Sequence, residues 1–520
     1  MVTPGSKQVS LALFAGFGLA VLISIGWAQK SSGVFSPTIP KTWDEQALSD
    51  WATPVAGLNV RPTHISAKEY YSLPVENLRT YPVYFPGREP EGYWEMLQHI
   101  GPQPLIEPEK LKSEADWIEA GRRVFEEADH LHLRTLDATL IAAARNPETF
   151  PQALPDGTVF ARWVPTSQGV ALSFANCANC HLRYQTDGAR VPGAPTMFGI
   201  RRAPATGSQR PSLVNQVQLA KRVVTGGAPF FMGAEPLGTR LYQAYGVPWR
   251  KDDINERVKT LSEAEYLALN GAIASRGGGV ARWNGSLYYP AKIPDLIGIK
   301  DRKYIDHTAT HLHRGIGDLM RYAALVSFAE TADFGPYHML SPQTQRVRSR
   351  LPDEALYALA LYIYSLKPPQ NPNTFDERAK AGEKIFSREG CIMCHIPPLY
   401  TSNKLTLAQG FTPPTEVPAT LDILPVSVGT DPGLALGTRK GTGYYKVPSL
   451  KGVWYRGHYL HDGSVSSLEE MFDPDRLKET HKPGGWSPPG TETRAIKGHE
   501  FGLRLSAEER IELIAFLRTL

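Results

Sequence analysis

Cysteine is scarce: the chain has four in 520 residues, and two matching motifs use all of them. With none left over there is no disulfide framework, so stability must come from packing and from whatever the motifs bind. Charge is nearly balanced. Lys and Arg number 56 against 52 Asp and Glu, a net +4. That is too little over this length to argue for nucleic acid, though a mildly basic face for an acidic partner stays open. Long apolar runs are missing except for one, Val9 to Trp27, and no strand-rich segment stands out. What remains is ordinary for a globular protein, 42% hydrophobic and 21% charged, with room for two or three domains that each bury a core. Proline (43) and glycine (46) are plentiful and separate the helical patterns with long loops. Such a chain suits wrapping around bound groups, with loops forming part of the wall.

The cysteines fall in Cys177-Ala-Asn-Cys180-His181 and Cys391-Ile-Met-Cys394-His395. Cys-x-x-Cys-His is the attachment signature of c-type haem. Two thiols must each add to one vinyl group on the porphyrin edge, and the adjoining histidine then lies under the iron as proximal ligand. Chance gives one such pentapeptide in roughly one chain in a thousand of this composition, and two copies that use every cysteine are far rarer. A redox dithiol needs no histidine after both pairs. A zinc site would have to combine two widely separated pairs, or each pair with distant histidines. The reading is therefore two covalently bound haems, with Cys177, Cys180, Cys391 and Cys394 as tethers and His181 and His395 as iron ligands. Before the second motif, Ala381, Ile385 and Phe386 fall at helical spacing and Gly390 ends the pattern.

In chain order, residues 1–29 read as an export segment: Lys7, the apolar run, then Gly26-Trp27-Ala28 as a small-x-small cleavage pattern before Gln29. The run is also close to the about 20 residues of a membrane span, so cleaved signal and retained N-terminal anchor both stay open. Either outcome puts the body in the periplasm or another extracytoplasmic space, with a membrane partner through residues 1–29 in the second case. Residues 30–113 are rich in Pro, Tyr and Trp without clear period, an irregular extension packed over the main body. A helix is expected after Ser113, with Trp117, Ala120, Val124 and Phe125 on one stripe. It resembles the helix before Cys391, which suggests two cytochrome-like halves with an insertion in the first. Further helices are expected at about 213–224, 262–275, 314–330 and 353–366. The run Lys367-Pro-Pro-Gln-Asn-Pro-Asn373 stops the last and marks a domain boundary. Another helix should follow Ser467, and Ser506-Ala-Glu-Glu opens a terminal helix with a capping box. The fold class expected is mainly α: two cytochrome-c-like haem domains, 114–368 and 369–520, with long loops.

Lys446-Val-Pro-Ser-Leu-Lys-Gly-Val and Tyr459-Leu-His461-Asp-Gly-Ser464-Val resemble the second-haem domain of the bacterial dihaem cytochrome c peroxidase superfamily. Gly498-His499-Glu-Phe-Gly before a closing helix is most similar to its rubber-oxygenase-like branch. The resemblance covers about 114–520. It implies two helical haem domains facing each other, one haem reacting with peroxide or dioxygen while the other relays electrons. Peroxidases of the group carry Thr-x-Pro where this chain has Arg456-Gly457-His458, which puts their inter-domain calcium in doubt. Their methionine ligand falls at Asp475 here, with Met471 out of register, so His/Met ligation of the second haem is not expected.

Axial ligation decides function, because an open iron position admits substrate and a filled one favours electron transfer. For the second haem the resemblance implies His499 as distal ligand, with a surface histidine as the plain alternative and His461 and Met471 as lesser candidates. For the first haem, Met197 stands sixteen residues after His181, where superfamily members can carry a displaceable ligand. A methionine there is more often core filler, and a five-coordinate or weakly ligated iron is the expectation. Met320 is another candidate above that haem. The cluster His311-Leu-His313-Arg314 offers His313 and Arg314 as polar groups for splitting an O–O bond, or simply a helix start meeting solvent or propionates. Trp283 is the candidate aromatic relay between haems, as superfamily members have, with a buried structural role the alternative. Arg201, Arg202, Arg439 and Lys440 are candidates for pairing with propionates, exposed charge being the default. Three functions follow: a peroxidase-like oxidoreductase, an electron-transfer subunit, or an oxygenase cleaving an apolar substrate. A redox donor or acceptor protein, or a quinone-linked membrane chain, would be the partner.

Overall fold

The structure, a computed structural model, describes residues 35–54, 62–64, 66–128, 141–142, 145–146, 158–173, 176–185, 187–196, 265, 268–269, 272–273, 288–327, 332–334, 350–415, 421–438 and 441–520. The export segment, Met197, Trp283, Arg201, Arg202, Arg439, Lys440, the helix expected at 213–224 and most of that at 262–275 lie outside the described residues.

Five longer helices organise the described chain: α1 (Glu114–Glu127), α2 (Ile316–Ser327), α3 (Asp353–Ser365), α4 (Glu377–Arg388) and α5 (Ala507–Arg518). Three of the starts, those of α1, α4 and α5, follow from capping chemistry. Ser113 accepts from the Asp116 amide while Asp116 reaches back to the cap, and Ser506 and Glu509 repeat the device at α5. Each box satisfies amide donors that the first helical turn leaves without partners. Asp376 caps α4 through the Ala379 amide. The expected helix after Ser467 is a single turn, Leu468–Met471, because Pro474 follows so soon.

Two helix pairs are built alike. α1 packs on α3 and α4 packs on α5, and each crossing is made at a glycine. A Cβ on Gly121 would lie 1.9 Å from the Ala358 carbonyl oxygen and 2.7 Å from Tyr362 Cβ. A Cβ on Gly382 would lie 2.0 Å from the Glu512 carbonyl oxygen and 2.8 Å from Phe516 Cβ. Ala120-Gly121-x-x-Val124-Phe125 and Ala381-Gly382-x-x-Ile385-Phe386 therefore do the same work: glycine lets the backbones meet, and the aromatic that follows fills the core. Phe125 lies against Tyr362, and Phe386 against Phe516, both ring pairs 5.3 Å apart. Between the pairs, Leu366–Asp376 has no regular element, as the proline run requires.

Segment 35–113 is more than a cover. Trp43, Trp51 and Tyr70 are fully buried in one core with Trp117, Phe125, Met320 and Leu356. Trp51 Nε1 donates to the Leu312 carbonyl at 2.9 Å, tying the segment to the chain before α2. Small sheets complete a helix-rich fold. Thr158–Thr166 lies between Tyr81–Tyr84 and Gly169–Ser173, all antiparallel. Leu405–Leu407 lies between Tyr444–Lys446, antiparallel, and Ile423–Ser427, parallel. These strands run against the expectation of no strand-rich segment. Most are too short to show a period of two, and they depend on partners distant in sequence. Among the described residues no helix is long and apolar enough to cross a membrane.

Candidate metal centre

The second motif starts where α4 stops. Gly390, at φ +76°, turns the chain into the short 3-10 helix Cys391–Met393, a left-handed step that glycine takes without steric penalty. The His395 amide bonds the Cys391 carbonyl at 2.9 Å, so both thiols and the imidazole leave one compact turn. His395 is buried, and its Nδ1 lies 3.1 Å from the Tyr400 carbonyl oxygen. A carbonyl can only accept, so Nδ1 carries the proton and Nε2 keeps its lone pair, the tautomer a metal ligand needs. Burial pushes the Cys391 thiol up to about 11 and raises Cys394 as well. Redox dithiols need a lowered pKa to furnish thiolate, so this site speaks against that alternative.

His499 faces His395 with ring centroids 6.4 Å apart and planes inclined by 56°. Metal–imidazole bonds are about 2 Å, and each Nε2 lies roughly 1 Å from its ring centre, so two imidazoles on opposite sides of one ion stand about 6 Å apart. The observed centroid separation matches that span. Burial first, then the neighbouring His395 and Arg476, hold the His499 imidazole down at about 4, hence neutral, as a ligand must be. The turn that presents it is unusual. Gly498 (φ +86°) and His499 (φ +49°) are both left-handed, the His499 amide bonds the Val428 carbonyl at 2.6 Å, and a Cβ on Gly498 would meet the Thr430 amide nitrogen at 2.2 Å. Neither Met471, buried in the core around α5, nor His461, stacked 4.4 Å from Tyr445, is paired with His395 in this way.

The first motif forms the one-turn helix Cys177–His181. Asn176 caps it through the Asn179 amide and donates from Nδ2 to the Glu126 carbonyl, which anchors the motif to the end of α1. A return loop clasps it: Gly193 N bonds the His181 carbonyl at 2.6 Å and Thr196 N the Cys180 carbonyl at 2.9 Å. This loop leads directly to Met197, so the distal face as expected from the sequence lies outside the described residues. Met320 is fully buried among apolar side chains.

His313 and Arg314 are neighbours in sequence with separate partners. His313 Nδ1 lies 2.8 Å from the Arg302 carbonyl oxygen and Nε2 2.6 Å from the Tyr364 hydroxyl. Both nitrogens are engaged, and the ring can offer a proton or lone pair elsewhere only by giving one of these up. Arg314 donates to Asp318 from Nε and Nη2 and to the Ala47 carbonyl. These contacts match the start of α2 better than a shared polar face.

A cationic cluster missed by reading the sequence joins residues from before and after the proline run 367–373. Lys292 donates to the His458 carbonyl at 2.6 Å, and Lys446 to the carbonyls of Ile305 (2.6 Å) and Tyr304 (3.1 Å). Arg183 donates to the Arg456 carbonyl at 2.7 Å, and Arg456 lies 3.1 Å from Asp295. Arg302 acts on both lysines, against the carboxylates Asp295 and Asp306. Burial, reinforced by the neighbouring guanidinium groups, pushes each ammonium down to about 7. The carbonyl bonded to Lys292 belongs to the stretch that replaces Thr-x-Pro. Among the described residues no three His, Cys, Asp or Glu side chains gather to hold a metal ion.

No protein-family profile matches the chain. Over 166 residues it is 30% identical to "Cytochrome-c peroxidase IdrP1" of Pseudomonas sp. (strain SCT), a match covering 28% of this chain and 41% of that protein. The match thus spans less than half the length of that relative. The chain is similar, then, to a cytochrome-c peroxidase, in agreement with its motifs. Solved structures that resemble it include hydrazine synthase of Kuenenia stuttgartiensis (16% identity, 44% of this chain, 72% of that one, TM-score 0.26). Another is a MauG-like protein associated with microbial copper homeostasis (18% identity, 61% of this chain, 91% of that one, TM-score 0.27). Superpositions that loose define neither fold nor chemistry for this chain.

Proposed function

We propose that the protein is an exported dihaem c-type cytochrome acting as a peroxidase-like oxidoreductase, with one haem held between His395 and His499 for electron transfer and one at His181 for peroxide or dioxygen. The observation that carries this is the 6.4 Å separation of the buried His395 imidazole and the half-buried His499 imidazole beside a Cys-x-x-Cys-His turn. Bound haem supplies a redox-active iron whose behaviour is set by its axial ligands.

The chain's own residues supply the rest. Tyr400 orients His395, and the left-handed Gly498-His499 turn presents the second imidazole neutral. With His395 and His499 holding it, that haem would keep no position for substrate and would have a lower potential than with a methionine. Small-molecule chemistry therefore falls to the His181 side. Lys292, Arg302, Lys446 and Arg456 offer the counter-charge that porphyrin carboxylates require on leaving water. A small redox protein or a quinone-linked chain would deliver electrons at the second centre.

An EPR spectrum of the oxidised, matured protein tests the reading. We expect one low-spin signal indifferent to added ligand and one high-spin signal that shifts with cyanide or peroxide. Two low-spin signals that ignore both additions would point to an electron-transfer subunit. Oxygen uptake on addition of polyisoprene would favour the oxygenase instead.

A further inference from the structure

Arg476 is fully buried in the short helix Pro474–Leu477, and its guanidinium hydrogen-bonds to main-chain carbonyls. Nε donates to Met471 O at 3.0 Å, Nη1 to Ile496 O at 2.5 Å, and Nη2 to both Gly498 O and His499 O at 2.9 Å. The Ile496 amide returns a bond to the Arg476 carbonyl at 2.6 Å. Glu500, Glu470 and Asp473 act on it through space, but none of them accepts a hydrogen bond from it among the described residues. Burying a guanidinium without a carboxylate is expensive, and the expense is met only if every donor finds a well-placed acceptor. The fork is planar and rigid, so it fixes the acceptors relative to one another in a way a lysine cannot.

The acceptors belong to the turn that aims His499. A left-handed non-glycine residue such as His499 is strained and persists only when the surroundings over-determine it. One side of the turn is fixed by Val428 and Thr430, as described above. The other side is fixed by Arg476 alone among the side chains that hydrogen-bond these described carbonyls. We propose that Arg476 is the positioning residue for the distal imidazole: its guanidinium clamps carbonyls 496, 498 and 499 so that His499 stays at bonding distance from the second iron. This rests on the ligation proposed above. Arg476 would not itself touch the haem iron or any substrate.

The test compares Arg476→Met, Arg476→Lys and His499→Gly in the matured dihaem protein, by EPR spin state and by the rate of cyanide binding at the second haem. Outer-shell changes of this kind typically weaken a metal–ligand bond about 10–100-fold. Arg476→Met should therefore open a fraction of the second haem to a high-spin state and speed its cyanide binding at least about tenfold, with free imidazole restoring the low-spin signal. Arg476→Lys should fall between that variant and wild type, because it keeps charge and loses the fork. If Arg476→Met does not mature, the same comparison is read from Arg476→Lys. A purely structural arginine would lower the melting temperature and leave spin state and cyanide rate at wild-type values, which overturns the proposal. If His499→Gly itself stays low-spin, the ligation reading has failed; if it turns high-spin while both Arg476 variants match wild type, only the positioning role has failed.

Discussion

Replacing His499 with alanine should turn the second haem from six-coordinate low-spin to high-spin and let it bind cyanide, while the first haem keeps its spectrum. The expectation is all-or-none because, on the proposed ligation, the imidazole would fill the coordination position rather than modify it. The cost to stability should be modest by comparison. His499 lies on a turn, its ring is partly accessible, and the backbone bonds of residues 496–499 survive the change. Free imidazole should restore the low-spin signal by occupying the space left. Absorption spectra with and without imidazole are sufficient to read this. An unchanged spectrum would mean that another group holds the iron, His461 and Met471 being the candidates already named.

Gly382→Ala should damage the second half more than any exposed substitution. The added methyl would lie 2.0 Å from the Glu512 carbonyl oxygen and 2.8 Å from Phe516 Cβ, and neither is the free end of a flexible side chain. The helices must then separate along the whole α4–α5 crossing, which loosens Ile385, Phe386, Leu513 and Phe516 together. Overpacking at rigid sites costs about 1–3 kcal/mol, and a backbone collision belongs at the top of that range. α4 leads straight into the Cys391–His395 turn, so on the proposed reading the yield of matured protein should fall with it. Gly121→Ala should do the same for the first half. Thermal unfolding followed by circular dichroism checks both; a melting temperature within a degree of wild type for either would show that the crossing has room.

The legible parts of this chain are those set by local chemistry. α1 follows from its apolar stripe, α5 from its Ser-x-x-acid capping box, and the break at Gly390 from a conformation glycine tolerates. His499 was reachable only through a resemblance at Gly498-His499-Glu-Phe-Gly, because nothing local says that this turn folds back over His395. Arg476 was not legible. An arginine in Asp-Pro-Asp-Arg reads as surface charge, and its burial depends on carbonyls some twenty residues downstream. The cationic cluster was hidden for the same reason: Arg183, Lys292, Arg302, Lys446 and Arg456 are scattered along the sequence and meet only when both halves close. The extension 35–113 was underread, since tryptophans without periodicity give no clue to the core they enter. The strands around Leu405 and Thr158 depend on cross-strand partners, so local pattern alone is weak evidence for them.

The central claim is that four cysteine sulfurs carry two macrocycles, one of them gripped between His395 and His499. Intact-mass spectrometry of the purified, matured polypeptide tests its foundation most directly. The predicted result is a mass above that of the polypeptide by two haems, falling by one haem in Cys391→Ala/Cys394→Ala and by the other in Cys177→Ala/Cys180→Ala. A mature chain with one haem, or none, would contradict it.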